Sequence, residues 1–198
     1  MELVFASNNP NKVKEIQLLL PPTITLLRLS DIGCEEDIPE TAATIEGNAI
    51  QKAQYITEKY GLACFADDTG LEVEALANEP GAYSARYAGL QRNAEDNMQK
   101  LLDNLQNQSN RKAQFKTVIC LQMNGQQFLF EGIVKGEITT EKHGHEGFGY
   151  DPVFQPVGYK ETFAQLPLAL KAKISHRGQA VAKLIEFLTK RNDFDLQN

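Results

Sequence analysis

The sequence predicts an α/β protein built on a mixed, twisted sheet that is flanked by helices. Two observations predict this class. Segments with strand and helix character alternate up to residue 66, and two longer apolar stretches then flank Asn124-Gly125, a strong hairpin signal. A chain of 198 residues can bury a sizeable core, and we expect one domain over residues 1–198.

The elements of the first third follow from apolar patterns that end at proline, glycine or polar residues. Asn8 or Asn9 is suited to the N-cap of the first helix, with Pro10 in its first turn. Gly61 is suited to the end of the second helix. We expect strand 2–6, a helix ended by Pro21-Pro22, strand 24–29, a polar loop over 30–44, helix 45–60 and strand 62–66.

The remaining elements are placed in the same way. A turn is expected at Pro80-Gly81, and Ser175 is suited to cap the last helix. We expect a helix from about 93 to 105, hairpin strands 115–123 and 126–134, and a final helix from about 176 to 190.

Composition restricts the classes of partner. A net charge of -6 argues against non-specific nucleic-acid binding, although a local basic cluster can still hold one small anion. The apolar stretch at the N-terminus is too short for a signal peptide or a membrane span. The three cysteines have no metal-type spacing, and their odd number suits a reduced compartment. We therefore expect a cytoplasmic protein without membrane or nucleic-acid partners.

Two adjacent acids, Asp67 and Asp68, follow the strand that is expected to end at Ala66. Like charges repel and lose hydration on burial, so a cation is expected there, and Mg²⁺ suits oxygen ligands. Successive strand side chains point to opposite faces, so one acid should face a cleft while the other caps or orients the loop. An ordinary Asx turn is the alternative. An aspartic-protease interpretation needs a second Asp-Thr-Gly, and none occurs.

Two further segments could bind the anionic part of a ligand or its metal. The polar loop 7–12 joins a strand to a helix N-terminus, where free N–H groups and Lys12 would receive phosphate; an ordinary capped turn is the alternative. Glu40 stands just before the second helix and is either a second metal ligand or a capping residue. The acidic run 35–37 is interpreted as a solvated surface.

Aromatic and basic residues late in the chain either form a base-binding region or contribute to the core. Phe148-Gly149-Tyr150-Asp151 could stack on a base and accept its N–H groups, or could simply contribute core aromatics. Ser175-His176-Arg177 places cations at a helix N-terminus, against the helix dipole, which a bound anion or carbonyl would explain.

Taken together, six segments resemble the house-cleaning nucleoside triphosphate pyrophosphatases that act on inosine, deoxyinosine and xanthosine triphosphates. The resemblance covers almost the whole chain. One departure is the apolar run 166–170, where family members often carry acids before the lysine, here Lys171. The segments are 7–12, Glu40 with Asn48-Ala49, 66–71, 80–87, 147–152 and 174–177.

The resemblance implies a homodimer whose two lobes enclose a nucleotide cleft, and cleavage between the α and β phosphates. It implies Asp68 as the catalytic carboxylate and a Mg²⁺ ligand, Glu40 as the second ligand, and Thr69 beside the metal. Phosphate and sugar would be held by Ser7, Asn8, Asn9, Pro10, Asn11 and Lys12. The base pocket would comprise Phe148, Gly149, Tyr150, Asp151, Lys171, His176 and Arg177.

Two other functions stay open at this point. A Maf-type nucleotide pyrophosphatase is a related enzyme with a different base preference, and it would be expected to lack the 148–151 and 175–177 segments. A non-catalytic nucleotide sensor would not need a carboxylate placed to activate water, as Asp68 is. Pyrophosphate release with and without Mg²⁺ distinguishes the sensor from the enzyme.

Overall fold

The structure is a computed structural model that describes residues 1–195, with backbone alone for 192–195. None of the helices within residues 1–195 is long and apolar enough to cross a membrane. The helices are α1 (Pro10–Gln17), α2 (Ile45–Tyr60), α3 (Ala94–Asn104), α4 (Leu168–Ile174) and α5 (His176–Asp195). The strands are β1 (Glu2–Phe5), β2 (Thr25–Leu27), β3 (Cys64–Val73), β4 (Pro80–Gly81), β5 (Lys112–Met123), β6 (Gln126–Ile138) and β7 (Phe154–Pro156).

The strands form one mixed sheet in the order β2-β1-β3-β5-β6-β7, with β4 paired to β3 beside this path. β1 runs parallel to β2 and β3, whereas β3, β5, β6 and β7 pair antiparallel. The predicted fold class is therefore confirmed. β3 lies near the middle of the sheet, so its side chains are covered on both faces.

Helices cover both faces of the sheet, and the alternation of β3 assigns its residues to them. Cys64 and Ala66 point to the face covered by α2, while Phe65 points to the face covered by α5. The same alternation sends Asp67 toward α5 and Asp68 toward α2. The site is built where these two faces meet the end of the apolar part of β3.

The predicted end of this strand at Ala66 is wrong. β3 continues through the acidic pair to Val73, and each of its residues is paired with β5. An acidic pair can stay inside a strand because cations reach it from both faces, as described below. The acids therefore lie in a sheet and not in an Asx turn.

Other boundaries differ in smaller ways. β2 is only three residues long, because the chain enters a 3-10 helix at Leu29–Ile32. Pro80–Gly81 pairs with β3 as a short strand and is not a free turn. The caps Asn9 and Ser175 are confirmed by their bonds to backbone N–H groups. Helix α4, Leu168–Ile174, was not predicted, because the apolar run before Lys171 is too short to show a helical period.

Candidate active site

A cleft of about 680 Å³ opens beside the middle of β3. It is lined by residues from the β1–α1 loop, the loop before α2, the segment 82–97 and the start of α5. All of the residues predicted for the site line this one cleft. They are Ser7, Asn8, Asn9, Pro10, Asn11, Lys12, Glu40, Asp68, Thr69, Phe148, Gly149, Tyr150, Asp151, Lys171, His176 and Arg177.

On the α2 face, Asp68 lies beside a lysine that sequence reasoning missed. Lys52 Nζ is 2.5 Å from Glu40 Oε1 and 3.5 Å from Asp68 Oδ1. Asn48 Nδ2 donates to the other oxygen of Asp68 over 3.2 Å. The two predicted metal ligands, Glu40 and Asp68, are therefore brought to a single ammonium group.

The pKa values on this face reflect burial and the charge of Lys52. Burial raises the pKa of Asp68 above its usual value, and the nearby Lys52 and Lys12 do not overcome that effect. Burial would also raise the pKa of Glu40, but the charge of Lys52 outweighs it and lowers that pKa. Lys52 is buried as well, yet Asp68 and Glu40 raise its pKa, so it stays charged.

The donor set fits a hard divalent cation only in part. Within residues 1–195 no group of three or more His, Cys, Asp or Glu side chains could hold a metal. Glu40 and Asp68 offer two carboxylates against one buried cation, Lys52. Mg²⁺ typically uses one or two carboxylates and completes its shell with water and substrate phosphates, so this pair fits a metal that arrives with a nucleotide.

On the α5 face, Asp67 is fully buried and its charge is matched by two cations. Its Oδ1 is 3.0 Å from Lys12 Nζ, and its Oδ2 accepts from Arg177 Nε over 3.0 Å. Burial would raise the pKa of Asp67, but Lys12 and Arg177 hold it well below the usual range. Asp67 thus orients Lys12 and Arg177, as expected for the acid that does not face the cleft.

Glu15 on α1 extends this network and was also missed. It is 2% exposed, and its two oxygens bind Arg177 Nη1 over 2.5 Å and Lys171 Nζ over 2.7 Å. Lys171 also contacts Asp151 Oδ2 over 2.5 Å. The cations at the start of α5 and on α4 are therefore balanced by acids of the protein, so no bound anion is needed to explain Arg177 at a helix N-terminus.

The aromatic residues divide into one that faces the cations and one that belongs to the core. The Phe148 ring lies over Lys171 Nζ, 4.9 Å from its centroid, and over the Arg177 guanidinium at 5.6 Å. Tyr150 is buried, and its hydroxyl donates to Ser84 O over 2.8 Å. Tyr150 therefore packs in the core while also lining the cleft, and Phe148 is the ring that faces the cations.

His176 combines burial with an unused ring nitrogen. It stacks on Phe115 with centroids 4.5 Å apart and planes 20° apart. Burial, followed by the charges of Arg177 and Lys171, lowers its pKa well below the usual value, so the imidazole is neutral. Among the described residues its Nδ1 is the one buried side-chain polar atom without a hydrogen-bond partner. Such an atom on a cleft wall is available to a ligand.

More of the backbone N–H groups of the β1–α1 loop are hydrogen-bonded within the protein than the sequence indicated. Asn9 Oδ1 accepts from the N–H groups of Asn11 and Lys12, over 3.0 and 3.3 Å. The expectation that these helix N–H groups are free for phosphate is wrong for this conformation. Among the loop side chains that line the cleft, Lys12 is the one that carries a positive charge.

Thr69 lies on the same face as Asp67, because it is two residues further along the strand. Its hydroxyl is 2.6 Å from Thr117 Oγ1 and accepts from Arg177 Nη2 over 3.1 Å. Its side chain is therefore directed to the Arg177 network, whereas the resemblance implied a place beside the metal, on the Asp68 face.

A weak signal for the missed residues exists in the helical pattern. Lys52 falls on the buried stripe of α2, four residues after Asn48 and three after Ala49. Glu15 falls three residues after Lys12 and beside the buried Ile16. A charged residue on the apolar side of a helix indicates a buried partner, so the pattern marks both positions without identifying their partners.

Comparisons with known proteins agree with the geometry. A sequence model of the Ham1 family matches residues 3–187. The dITP/XTP pyrophosphatase of Flavobacterium johnsoniae is 65% identical over 189 residues, which are 96% of this chain and 98% of that protein. The dITP/XTP pyrophosphatase of Porphyromonas gingivalis is 51% identical over 188 residues, or 94% and 97% of the two chains.

Solved structures give the same result. The Ham1 protein of Staphylococcus aureus superimposes with a TM-score of 0.88 at 41% identity, covering 96% of this chain and 100% of that one. A HAM1 protein from Coxiella burnetii gives a TM-score of 0.88 at 39% identity, covering 96% and 99%. The resemblance drawn from the six segments is confirmed, and this chain belongs to the Ham1 family.

Proposed function

We propose that this protein hydrolyses the non-standard purine nucleoside triphosphates ITP, dITP and XTP to the monophosphate and pyrophosphate. The Ham1 match and the names of its dITP/XTP pyrophosphatase relatives support this activity and disfavour the Maf-type alternative. We further propose that Mg²⁺ is the metal, that Glu40 and Asp68 hold it, and that the protein acts in the cytoplasm as a homodimer.

One observation carries the assignment of the reacting centre. Lys52 Nζ lies against both Glu40 and Asp68 at the wall of the cleft, which leaves this wall one positive charge short. A divalent cation would reverse that deficit and attract a polyanion. A sensor would have no use for an under-neutralised carboxylate pair beside the phosphates.

Each residue of the reacting centre then has a separate role in hydrolysis. Mg²⁺, when bound, would supply Lewis-acid neutralisation of phosphate charge. Asp68 would accept the proton of a water that attacks the α-phosphorus, and the bond to the bridging oxygen of the β-phosphate would break to release pyrophosphate. The raised pKa of Asp68 brings it closer to neutral pH, which makes it a stronger base than an ordinary aspartate. Lys12 and Lys52 would neutralise phosphate oxygens.

Base selection would be made on the other side of the cleft. The 6-carbonyl of hypoxanthine or xanthine accepts hydrogen bonds, whereas the 6-amino group of adenine donates them. Lys171 has three N–H donors and uses two, on Glu15 and Asp151, so one remains for a carbonyl. An adenine there would set donor against donor, and one buried unpaired group costs about 1–3 kcal/mol.

A panel of ITP, dITP, XTP, ATP and GTP, assayed for monophosphate and pyrophosphate with and without Mg²⁺, tests the proposal. We expect metal-dependent release of pyrophosphate from the first three substrates. The variant Asp68→Asn should lose about 10²- to 10⁴-fold in kcat while still binding ITP. Turnover of ATP as fast as ITP would refute the base assignment. ITP binding without any pyrophosphate release in the wild type would favour the sensor.

A further inference from the structure

We infer that Glu36 is a positioning residue for the metal site: it anchors the segment that carries Glu40 to the far end of α2. This inference rests on the proposed function, because it concerns how the Glu40 carboxylate is held for a cation. It also corrects the interpretation of residues 35–37 as a purely solvated acidic run, since Glu36 is only partly exposed and has several partners.

Three donors from one helix converge on a single oxygen of Glu36. Its Oε1 accepts from Lys59 Nζ over 2.6 Å, from the Tyr60 hydroxyl over 3.0 Å and from the Tyr55 hydroxyl over 3.2 Å. Lys59 Nζ also lies 5.6 Å from the centroids of both tyrosine rings, so the ammonium sits between them. The bond from Lys59, together with the bond from Tyr60, lowers the pKa of Glu36 to about 2, and the Lys59 bond is the largest cause.

The segment after Glu36 runs back along α2 toward its N-terminus. Thr41 and Gln51 exchange two hydrogen bonds of 2.9 Å. The N–H of Ala42 donates to Asn48 Oδ1 over 3.0 Å, and the same Asn48 side chain binds Asp68. The segment is thus fastened to α2 on both sides of Glu40, and α2 also carries the contact to Asp68.

Glu36 differs from the Lys52 anchor in what a cation would change. Lys52 holds Glu40 through the carboxylate itself, so a cation at that carboxylate competes with this anchor. Glu36 holds the backbone four residues upstream and does not use the Glu40 carboxylate. It can therefore keep Glu40 facing Asp68 while the Lys52 contact is exchanged, which lowers the ordering cost of metal binding.

The test measures metal binding by the whole protein, with Mn²⁺ as the probe and free Mn²⁺ followed by electron paramagnetic resonance. We expect Glu36→Ala to raise the Mn²⁺ dissociation constant about tenfold, and Glu36→Gln, which keeps an acceptor oxygen, to raise it less. Glu35→Ala is the matched control, because its side chain is exposed and has no hydrogen bond or ion pair among the described residues. It should bind Mn²⁺ within about twofold of the wild type.

The outcomes separate this inference from the proposed function. A wild-type dissociation constant in Glu36→Ala would overturn the positioning role, even if the melting temperature fell. If Glu36→Ala does not fold, the pair Tyr55→Phe and Tyr60→Phe removes two donors, and the same criterion applies to it. A wild-type protein that binds no Mn²⁺, or Asp68→Asn that binds it normally, would overturn the metal site itself and this inference with it.

Discussion

Strand β3 separates two sides of the cleft that use charge in opposite ways. On the Asp67 side, Asp67, Glu15 and Asp151 face Lys12, Lys171 and Arg177, so three acids meet three cations. On the Asp68 side, Asp68 and Glu40 share the one buried cation Lys52. Arg92 is 3.7 Å from Glu40, but its side chain is 60% exposed and screened by water.

The difference in charge balance indicates which side is neutral without a ligand and which side would be neutralised by one. The balanced side holds its donors in fixed directions before substrate arrives, which suits recognition of a base by hydrogen bonds. The unbalanced side keeps a surplus negative charge that a divalent cation would neutralise. The pKa values of adjacent residues express this contrast, since that of Asp67 is lowered by its cations while that of Asp68 is raised by burial.

Asparagine substitution at the two neighbouring aspartates is the strongest test of this contrast. Asp67→Asn removes the acid of Lys12 and one of the two acids of Arg177, which keeps Glu15, and breaking a buried pair typically costs about 3–5 kcal/mol. Asp68→Asn removes a charge that burial already disfavours, so the free energy of unfolding should be unchanged or higher. Urea unfolding of both variants at neutral pH measures the difference.

Each of these two variants is the control for the other, because the substitutions are chemically identical and one residue apart on the same strand. Equal losses of stability would show that the two sides do not differ in charge balance. A more stable Asp67→Asn would mean that the Asp67 network costs more in desolvation than it returns, and the contrast would then be reversed.

A substitution of Lys52 tests the deficit on the Asp68 side directly. Lys52→Gln removes the cation that competes for Glu40 and Asp68, so the protein alone should bind Mn²⁺ more tightly. We expect about a tenfold lower dissociation constant, or ~1.4 kcal/mol, a fraction of the ~4 kcal/mol for two charges 4 Å apart near a protein surface. Turnover should nevertheless fall, because the proposed function has Lys52 neutralise phosphate oxygens.

Lys173→Gln is the matched control for this titration, since Lys173 is exposed and forms no ion pair among the described residues. Weaker Mn²⁺ binding by Lys52→Gln would mean that the lysine organises the carboxylates more than it repels the metal. The Asp68 side would then resemble the Asp67 side, with its acids held in place for structural reasons.

The fold was largely predictable from local signals. Asn9, Gly61 and Asn124-Gly125 fixed the start of α1, the end of α2 and the central hairpin, because caps and turns depend on neighbouring residues. The continuation of β3 through Asp67 and Asp68 was not predictable in this way. It depends on cations from α1, α2 and α5, which are distant in sequence.

The membership of the site was predictable from motifs, but its internal contacts were not. Asp68 and Glu40 could be named from the sequence, whereas Lys52 between them required the register of α2 against β3. In the same way, Arg177 could be assigned to the cleft, but Glu15, 162 residues earlier in the chain, could not be paired with it. Long-range ion pairs are a property of packing, and a single sequence does not show them.

A pH-dependent effect is expected from His176, the neutral member of the Asp67 side. Its pKa lies well below 6.5 when folded and returns to about 6.5 when unfolded, so below pH 6.5 the unfolded state binds one more proton. Stability should therefore fall as pH falls, by up to about 1.4 kcal/mol per unit. His176→Phe keeps a ring against Phe115 and removes this titration, while His145→Gln changes a histidine that is 92% exposed.

Urea unfolding between pH 7 and pH 5 measures the effect as the difference between wild type and variant. The raised pKa values of Asp68 and Asp151 act with the opposite sign, stabilising the fold as pH falls toward 3.8, and they cancel in that difference. His145→Gln should follow the wild type. If His176→Phe kept the full wild-type slope, the imidazole would carry its proton in the folded state. The Asp67 side would then hold an extra positive charge, and its balance of three acids against three cations would no longer describe it.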